Sequence, residues 1–259
     1  MVSARLFSSL HWRPYRLLWT SGACSRSAQV GLMVLTGWQA FVLGGSDLVA
    51  LVTFAGMLTF ALSTPVGGLL ADAFDRRILV LAGQATAGSA TGALALLSLG
   101  HMLQPAELLL LTWVAGLARG IEISSAQSYM PRLVPRSDLL NAVSLNGLTT
   151  YGARFVGPTL VGPFLAHTVS PTMIGSAYLV VTVLYVVAIW HAYRIDPAIG
   201  APGTIRPPLT QLAGQLVEGF RYMLGPSVVL VLLLVVSAHC ALTMSYDALL
   251  PLVAQQALH

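Results

Sequence analysis

The stretch GGLLADAFDRR, residues 67–77, places two acidic and two arginine side chains within positions 72–77, directly after a pair of glycines. Long apolar runs flank it on both sides, and only 8% of the residues in the whole chain are charged. An ordinary soluble domain carries roughly 25% charged residues. With 56% hydrophobic residues, this 259-residue chain lacks the polar side chains that cover the surface of a soluble protein. The composition therefore predicts a membrane protein.

The apolar runs are long enough to cross a bilayer. Crossing the hydrocarbon core takes roughly 20 apolar residues in a helix. We identify seven candidate spans, at 16–43, 48–70, 78–100, 107–129, 142–166, 172–192 and 227–251. Glycines recur within the spans, as at Gly83, Gly88 and Gly92, and small residues allow membrane helices to approach closely. The sequence thus predicts an all-α, polytopic helical bundle.

The arginines indicate the orientation of this bundle. All 13 basic residues are arginines, and ten of them lie before span 1 or in the connections after spans 2, 4 and 6. The connections on the opposite side carry none. Because positive charge collects on the cytoplasmic side, we predict a cytoplasmic N-terminus. The arginines form no stripe that could follow a phosphate backbone, so we predict a lipid bilayer as partner and no nucleic acid.

The connection after span 6, residues 193–226, is longer than the others. It begins YRIDPAIGAPGTIRPP, and its prolines and glycines predict an irregular linker. Leu209, Leu212, Leu216 and Phe220 then recur at helical spacing, which predicts either an amphipathic helix on the cytoplasmic membrane face or a solvated linker helix. We therefore divide the chain into a six-span bundle (1–192), this linker (193–226), and span 7 with the start of a second bundle (227–259).

Apart from Arg16 and Glu107, the first residues of spans 1 and 4, five charged residues lie inside the predicted spans. Arg26, Arg119 and Arg154 lie well within spans 1, 4 and 5, and a charge at mid-bilayer costs about 2.5–3.5 kcal/mol unless it faces a cavity or a partner. Glu122 shares a helix face with Arg119, three residues away, and Asp247 lies near the outer end of span 7. Two interpretations stay open: Arg119 and Glu122 neutralise each other, or the five residues line a cavity for substrate or protons.

The stretch at 67–77 resembles the signature loop of the major facilitator superfamily, G-x-L-A-D-x-x-G-R-R between helices 2 and 3. The residues that match are Gly68, Leu70, Ala71, Asp72, Arg76 and Arg77, while Asp75 replaces the second glycine. The resemblance implies a gating loop. We expect Gly68 to permit a close helix approach and Asp72 to lie at a helix N-terminus, where the dipole favours an anion. The arginines are expected to hold the loop to neighbouring cytoplasmic ends.

A second resemblance concerns the fifth span. GARFVGPTLVGP, residues 152–163, is similar to the fifth-helix pattern of the exporter branches: Gly157, Pro158 and Gly162 match it. We expect the proline to kink this helix and the glycines to pack tightly. Residues 130–146 and Arg119 resemble the bacterial efflux subgroup that includes the enterobactin exporter and macrolide efflux proteins. The chain is identified as the six-helix N-terminal bundle of this superfamily plus its helix 7.

The resemblance implies a multi-pass transporter of the cell (inner) membrane. It would export a small amphipathic molecule, a drug or a siderophore, by alternating access as a proton antiporter. Its partners would be the substrate and protons, and Glu122 and Asp247 are the intramembrane acids available for coupling. The sequence offers no Ser/His/Asp set, metal-ligand spacing or phosphate loop, so we predict no enzyme, cofactor or metal site.

Members of this superfamily have two six-helix bundles, whereas this chain ends after its predicted seventh span. The alternative prediction is therefore a truncated, non-transporting fragment that acts at most as a helical interaction partner. A missing C-terminal half or a second copy would then complete the transport path.

Overall fold

The computed structural model describes residues 7–165 and 170–200, with single positions between 214 and 239. The stretch Arg13–Ala73 consists of two helices that meet at Gly44 and Gly45, α1 (13–43) and α2 (46–73). The helices that follow are α3 (Arg76–Leu99), α4 (Pro105–Tyr129), α5 (Leu139–Leu165), α6 (Pro171–Tyr193) and the short α7 (Pro197–Gly200). No strand occurs in 7–165 or 170–200. The predicted all-α fold is confirmed.

Within the part of the chain that the structure describes, four helical stretches are long and apolar enough to cross a membrane. They are Arg13–Ala73, which holds the first two predicted spans, Arg76–Leu99, Pro105–Arg132 and Pro171–Tyr193. Helix α5, which carries Arg154 and two prolines, is not among these four. The chain is thus an all-α polytopic membrane protein, and the total of seven spans stays a prediction.

The chain divides into two compact units, Met1–Arg206 and Pro207–His259. Most of the predicted amphipathic helix and of span 7 lies outside the described residues, and so does Asp247.

A sharp corner without loop residues joins α1 to α2. Gly45 has φ +67° and ψ −158°, a conformation that side-chain-bearing residues rarely adopt, and Gly44 before it is also non-helical. The break predicted between residues 43 and 48 is therefore made by two glycines.

The helices of the first unit pack around a common apolar core. Leu35, Leu94 and Leu108, from α1, α3 and α4, are completely buried, and Tyr185 of α6 is 1% exposed beside them. A second apolar cluster includes Tyr15 at the start of α1 together with residues of the α4–α5 connection. The arrangement brings α1, α2, α3, α4 and α6 side by side, so that polar groups inside them are shielded from water.

A seam of small residues joins α2 to α4. Added Cβ atoms at Gly116 and Gly120 would overlap Thr59 Oγ1 and Ser63 Oγ of α2, respectively. An added Cβ at Gly67 would lie 2.7 Å from the Cα of Ile121. The two backbones are therefore in direct contact, and the four-residue spacing of Gly116 and Gly120 is a known close-packing pattern of membrane helices. Sequence analysis missed this seam.

The glycines named for α3 and α5 differ in how closely other helices approach them. An added Cβ at Gly83 would lie 2.9 Å from Glu122 Cβ, and one at Gly157 would lie 2.8 Å from the carbonyl oxygen of Ser27. These two confirm the predicted tight packing. Gly162 has no neighbour within 4 Å among the described residues, so its tight packing stays a prediction. Helix α5 continues as one segment through Pro158.

Candidate functional site

Glu122 of α4 lies at the centre of a buried polar cluster. Its side chain is 3% exposed. Its Oε2 accepts a hydrogen bond of 2.8 Å from Gln29 Nε2 of α1, and its Oε1 accepts one of 3.0 Å from Gln84 Nε2 of α3. The same Gln84 nitrogen donates to Ser21 Oγ at 2.8 Å. Three helices thus converge on one carboxyl group.

The cluster can accommodate Glu122 in either protonation state. Two amide donors satisfy an ionised carboxylate, which would otherwise be costly to bury. The neutral acid needs an acceptor for its proton, and Gln84 Oε1 is buried without a hydrogen-bond partner among the described residues. Rotation of that amide would present the oxygen to the protonated acid. A carboxyl group with hydrogen-bond partners for both states is suited to bind and release a proton.

Arg119 and Glu122 do not form the predicted ion pair. No nitrogen of Arg119 lies within 4.0 Å of the Glu122 carboxylate. The guanidinium instead lies over the ring of Phe60 on α2, 4.5 Å from its centroid, a favourable cation–π arrangement. The amides of Gln29 and Gln84 hold Glu122 toward α1 and α3. The shared helix face predicted proximity correctly, but the two side chains turn toward different neighbours.

A cavity of about 90 Å³ lies beside Arg119, between α1, α2 and α4. Gln29 lines this cavity and also donates to Glu122, so one side chain connects the cavity to the buried acid. Tyr185 of α6 closes one side. The other lining residues are Leu32, Met33, Thr36, Val52, Thr53, Gly56, Met57, Thr112, Ala115 and Gly116.

The other predicted cavity residues lie elsewhere. Arg26 Nη1 donates to the carbonyl oxygen of Asn146 at 2.8 Å and to Thr150 Oγ1 at 2.9 Å, so it ties α1 to α5. Arg154 is exposed on α5, with its guanidinium 5.9 Å from the ring centroid of Tyr151. Neither arginine lines the cavity beside Arg119. Of the four predicted residues that the structure describes, Arg119 and Glu122 lie at neighbouring sites, and Arg26 also interacts electrostatically with Glu122.

The signature loop places its two acids differently from the prediction. Asp72 lies in the last turn of α2, with its carboxylate 3.5 Å from Arg76 Nη2. Asp75 caps α3 instead, and its Oδ1 accepts from the backbone N–H of Arg77 at 2.8 Å. Because α3 begins directly after Asp75, the N-terminal position expected for Asp72 belongs to the residue that replaces the glycine of the pattern.

The other parts of the loop agree only partly with expectation. Gly68 has no neighbour within 4 Å among the described residues, so Gly67 makes the close approach that was predicted for Gly68. Arg77 donates from Nη2 to the carbonyl oxygen of Tyr193 at the end of α6, and its guanidinium lies 5.2 Å from the centroid of the Tyr193 ring. This arginine therefore holds the loop to a neighbouring helix end, as expected.

A polar contact that sequence analysis missed joins the N-terminal segment to the α4–α5 connection. Trp12 Nε1 donates to Asp138 Oδ2 at 2.8 Å, and Ser9 Oγ donates to Asn141 Oδ1 at 2.7 Å. The partners are more than 120 residues apart in sequence, so no local pattern indicates them. Together with the Arg77–Tyr193 contact, this brings the arginine-bearing connections to one end of the bundle.

Comparison with known proteins gives one family. The family model described as "Transmembrane secretion effector" matches residues 4–259. No curated protein matches the chain. Within the part of the chain that the structure describes, no three His, Cys, Asp or Glu residues group as a metal site.

Proposed function

Because this chain belongs to the transmembrane secretion effector family, a branch of the major facilitator superfamily, we propose that it is a proton-coupled exporter of a small amphipathic molecule. The family makes the chain a membrane transporter. Proton coupling, the efflux subgroup and the inner membrane with a cytoplasmic N-terminus are parts of the proposal. The observation that carries it is the buried Glu122 with hydrogen-bond partners available for both protonation states.

Gln29 gives a physical route from substrate to proton. It lines the cavity and donates to Glu122 Oε2. The ionised carboxylate holds the Gln29 amide by a hydrogen bond, and the neutral acid is a weaker acceptor, so protonation frees the Gln29 side chain and changes the cavity wall. A ligand that binds the wall formed with the ionised acid favours loss of the proton, and protonation favours release of the ligand, as antiport requires. Substrate binding and proton binding thereby depend on each other.

The arginine-rich end supplies the gate in this proposal. The Asp75 cap and the Arg77–Tyr193 contact hold the α2–α3 loop against α6. In alternating access, one bundle rocks against another while the binding site stays between them. Contacts at this end would form in one state and break in the other. A second bundle, from a C-terminal half or another copy, would complete the path.

Transport is tested directly in membrane vesicles that contain the chain. An imposed pH gradient should drive movement of an amphipathic dye, either ethidium or 8-anilinonaphthalene-1-sulfonate, and a protonophore should stop it. Vesicles without the chain give the background. If neither dye moves above that background in response to the gradient, the non-transporting fragment becomes the better description.

The orientation is tested with two exposed positions at opposite ends of the bundle. Phe74, in the α2–α3 loop, is 46% exposed, and Met102, between α3 and α4, is 67% exposed. In intact cells, a membrane-impermeant maleimide should label Met102→Cys directly and Phe74→Cys only after permeabilisation. The background carries Cys24→Ser and Cys240→Ser so that no other thiol reacts. The reverse labelling pattern would contradict a cytoplasmic N-terminus.

A further inference from the structure

The cavity between α1, α2 and α4 contains two buried polar groups that lack hydrogen-bond partners. Arg119 Nε and Thr112 Oγ1 are both buried, and neither has a partner among the described residues. They lie seven residues, or about two turns, apart on α4, and both residues line the cavity. A buried polar group without a partner costs about 1–3 kcal/mol. Both donors belong to residues that line one cavity, and this indicates a ligand that supplies acceptor oxygens.

The charge of Arg119 specifies the kind of acceptor. A guanidinium stays positive in a protein, and no carboxylate among the described residues forms an ion pair with this one. The ring of Phe60 covers its flat face. Such stacking leaves the N–H donors at the edge, where a carboxylate or phosphate group binds in the guanidinium plane. Glu122 does not serve, since no nitrogen of Arg119 lies within 4.0 Å of its carboxylate.

The rest of the cavity wall specifies the body of the ligand. Leu32, Met33, Val52 and Met57 line it from α1 and α2. Methionine side chains are flexible and polarisable, and they adapt to apolar groups of different shapes. A neutral or cationic head group would leave Arg119 buried without an anion, which penalises its binding.

We propose that Arg119 and Thr112 bind the anionic head group of an amphipathic ligand, a carboxylate, sulfonate or phosphate. Its apolar body is larger than the cavity and extends from it over the half-exposed side chains of Met33 and Met57. That this ligand is the transported substrate rests on the proposed function. The binding itself does not, and it can be measured without transport.

The test uses two dyes of similar apolar structure and different charge. The full chain in nanodiscs is dialysed against 8-anilinonaphthalene-1-sulfonate or against neutral N-phenyl-1-naphthylamine, with empty nanodiscs as the baseline. The chain should bind the sulfonate saturably. Arg119→Gln should weaken that binding about 10-fold or more, because a hydrogen bond to a charged group contributes about 1.5–3 kcal/mol. Binding of the neutral dye should not change.

Further variants separate the subsite from a general effect on the fold. Arg119→Lys should retain part of the affinity, since it keeps the charge and loses the planar donors. Thr112→Val should weaken sulfonate binding by a few-fold. Arg154→Gln removes an exposed arginine outside the cavity and should bind like the parent chain. Thermal unfolding of each variant is monitored. If Arg119→Gln does not fold, sulfonate binding to Arg119→Lys and Thr112→Val decides whether these two residues bind the anionic head group.

The outcomes distinguish this proposal from the transport proposal. It is overturned if the parent chain shows no saturable sulfonate binding, or if folded Arg119→Gln binds the sulfonate like the parent chain. Equal losses in Arg119→Gln and Arg154→Gln also overturn it. Arg119-dependent binding without pH-driven movement supports the subsite and contradicts transport. Arg119-dependent binding together with movement that does not depend on Arg119 contradicts only the identification of this ligand as the transported substrate.

Discussion

Glu122→Gln is expected to give a folded bundle that no longer couples dye movement to a pH gradient. The amide has nearly the same shape as the carboxyl group and keeps an oxygen for Gln29 or Gln84, but it cannot bind or release a proton at neutral pH. Movement driven by the gradient should fall about 10²-fold or to background, the scale on which loss of a proton-transferring group acts. The measurement is dye movement in vesicles at matched protein content.

Glu122→Leu should also lower the free energy of unfolding of the bundle. It removes the acceptor of two buried amide groups, those of Gln29 and Gln84, and each unsatisfied group costs about 1–3 kcal/mol. The midpoint of denaturant unfolding should therefore fall clearly below that of Glu122→Gln. The matched control for Glu122→Gln is Asp47→Asn, which also replaces an acid by its amide. Asp47 is an exposed acid near the α1–α2 corner. Full proton-driven movement in Glu122→Gln would rule out this residue as the coupling site.

Gly120→Leu is expected to separate α4 from α2 and destabilise the whole bundle. The new Cβ would overlap Ser63 Oγ and lie 2.8 Å from the carbonyl oxygen of Phe60 and 2.9 Å from the backbone nitrogen of Thr64. Because two of these atoms are backbone, side-chain rotation cannot relieve the contact. We expect a cost of about 3 kcal/mol or more, at the upper end for overpacked sites. Denaturant unfolding and size-exclusion profiles in detergent measure it.

The control for this variant is Gly147→Leu on α5. A Cβ at Gly147 meets no atom within 4 Å among the described residues. Both substitutions replace a glycine of a membrane helix by leucine, so the changes in helix propensity and in side-chain hydrophobicity are the same. If the two variants unfold at the same denaturant concentration, direct backbone contact between α2 and α4 does not hold the bundle together.

The sequence predicts the helices well because the bilayer sets their length. An apolar run near 20 residues specifies a membrane helix whatever its neighbours are, and the spans predicted from 16 to 192 correspond to α1 through α6. The partners of Glu122 could not be predicted in this way. Gln29 and Gln84 lie 93 and 38 residues from it in sequence. The local three-residue spacing to Arg119 indicated a pair that the structure does not form.

The signature loop shows the same limit at closer range. Adjacent residues of a helix point about 100° apart, so Gly67 and Gly68 face different surroundings, and among the described residues it is Gly67 that makes a close approach. Likewise, the pattern placed the helix-capping acid at Asp72. The start of α3 at Arg76 assigns that cap to Asp75. Family patterns identify the segment, while helix ends and packing faces decide which residue acts.

The corner at Gly44 and Gly45 limits how α1 and α2 can move. The three Cα–Cα steps from residue 43 to residue 46 span at most about 11 Å, at roughly 3.3–3.6 Å each, which is about the 10–12 Å diameter of a single helix. The joined ends therefore cannot draw apart, and a force that displaces one helix at this end displaces the other. The two helices therefore stay close together at the glycines, and the gap between them can widen only toward the arginine-rich end.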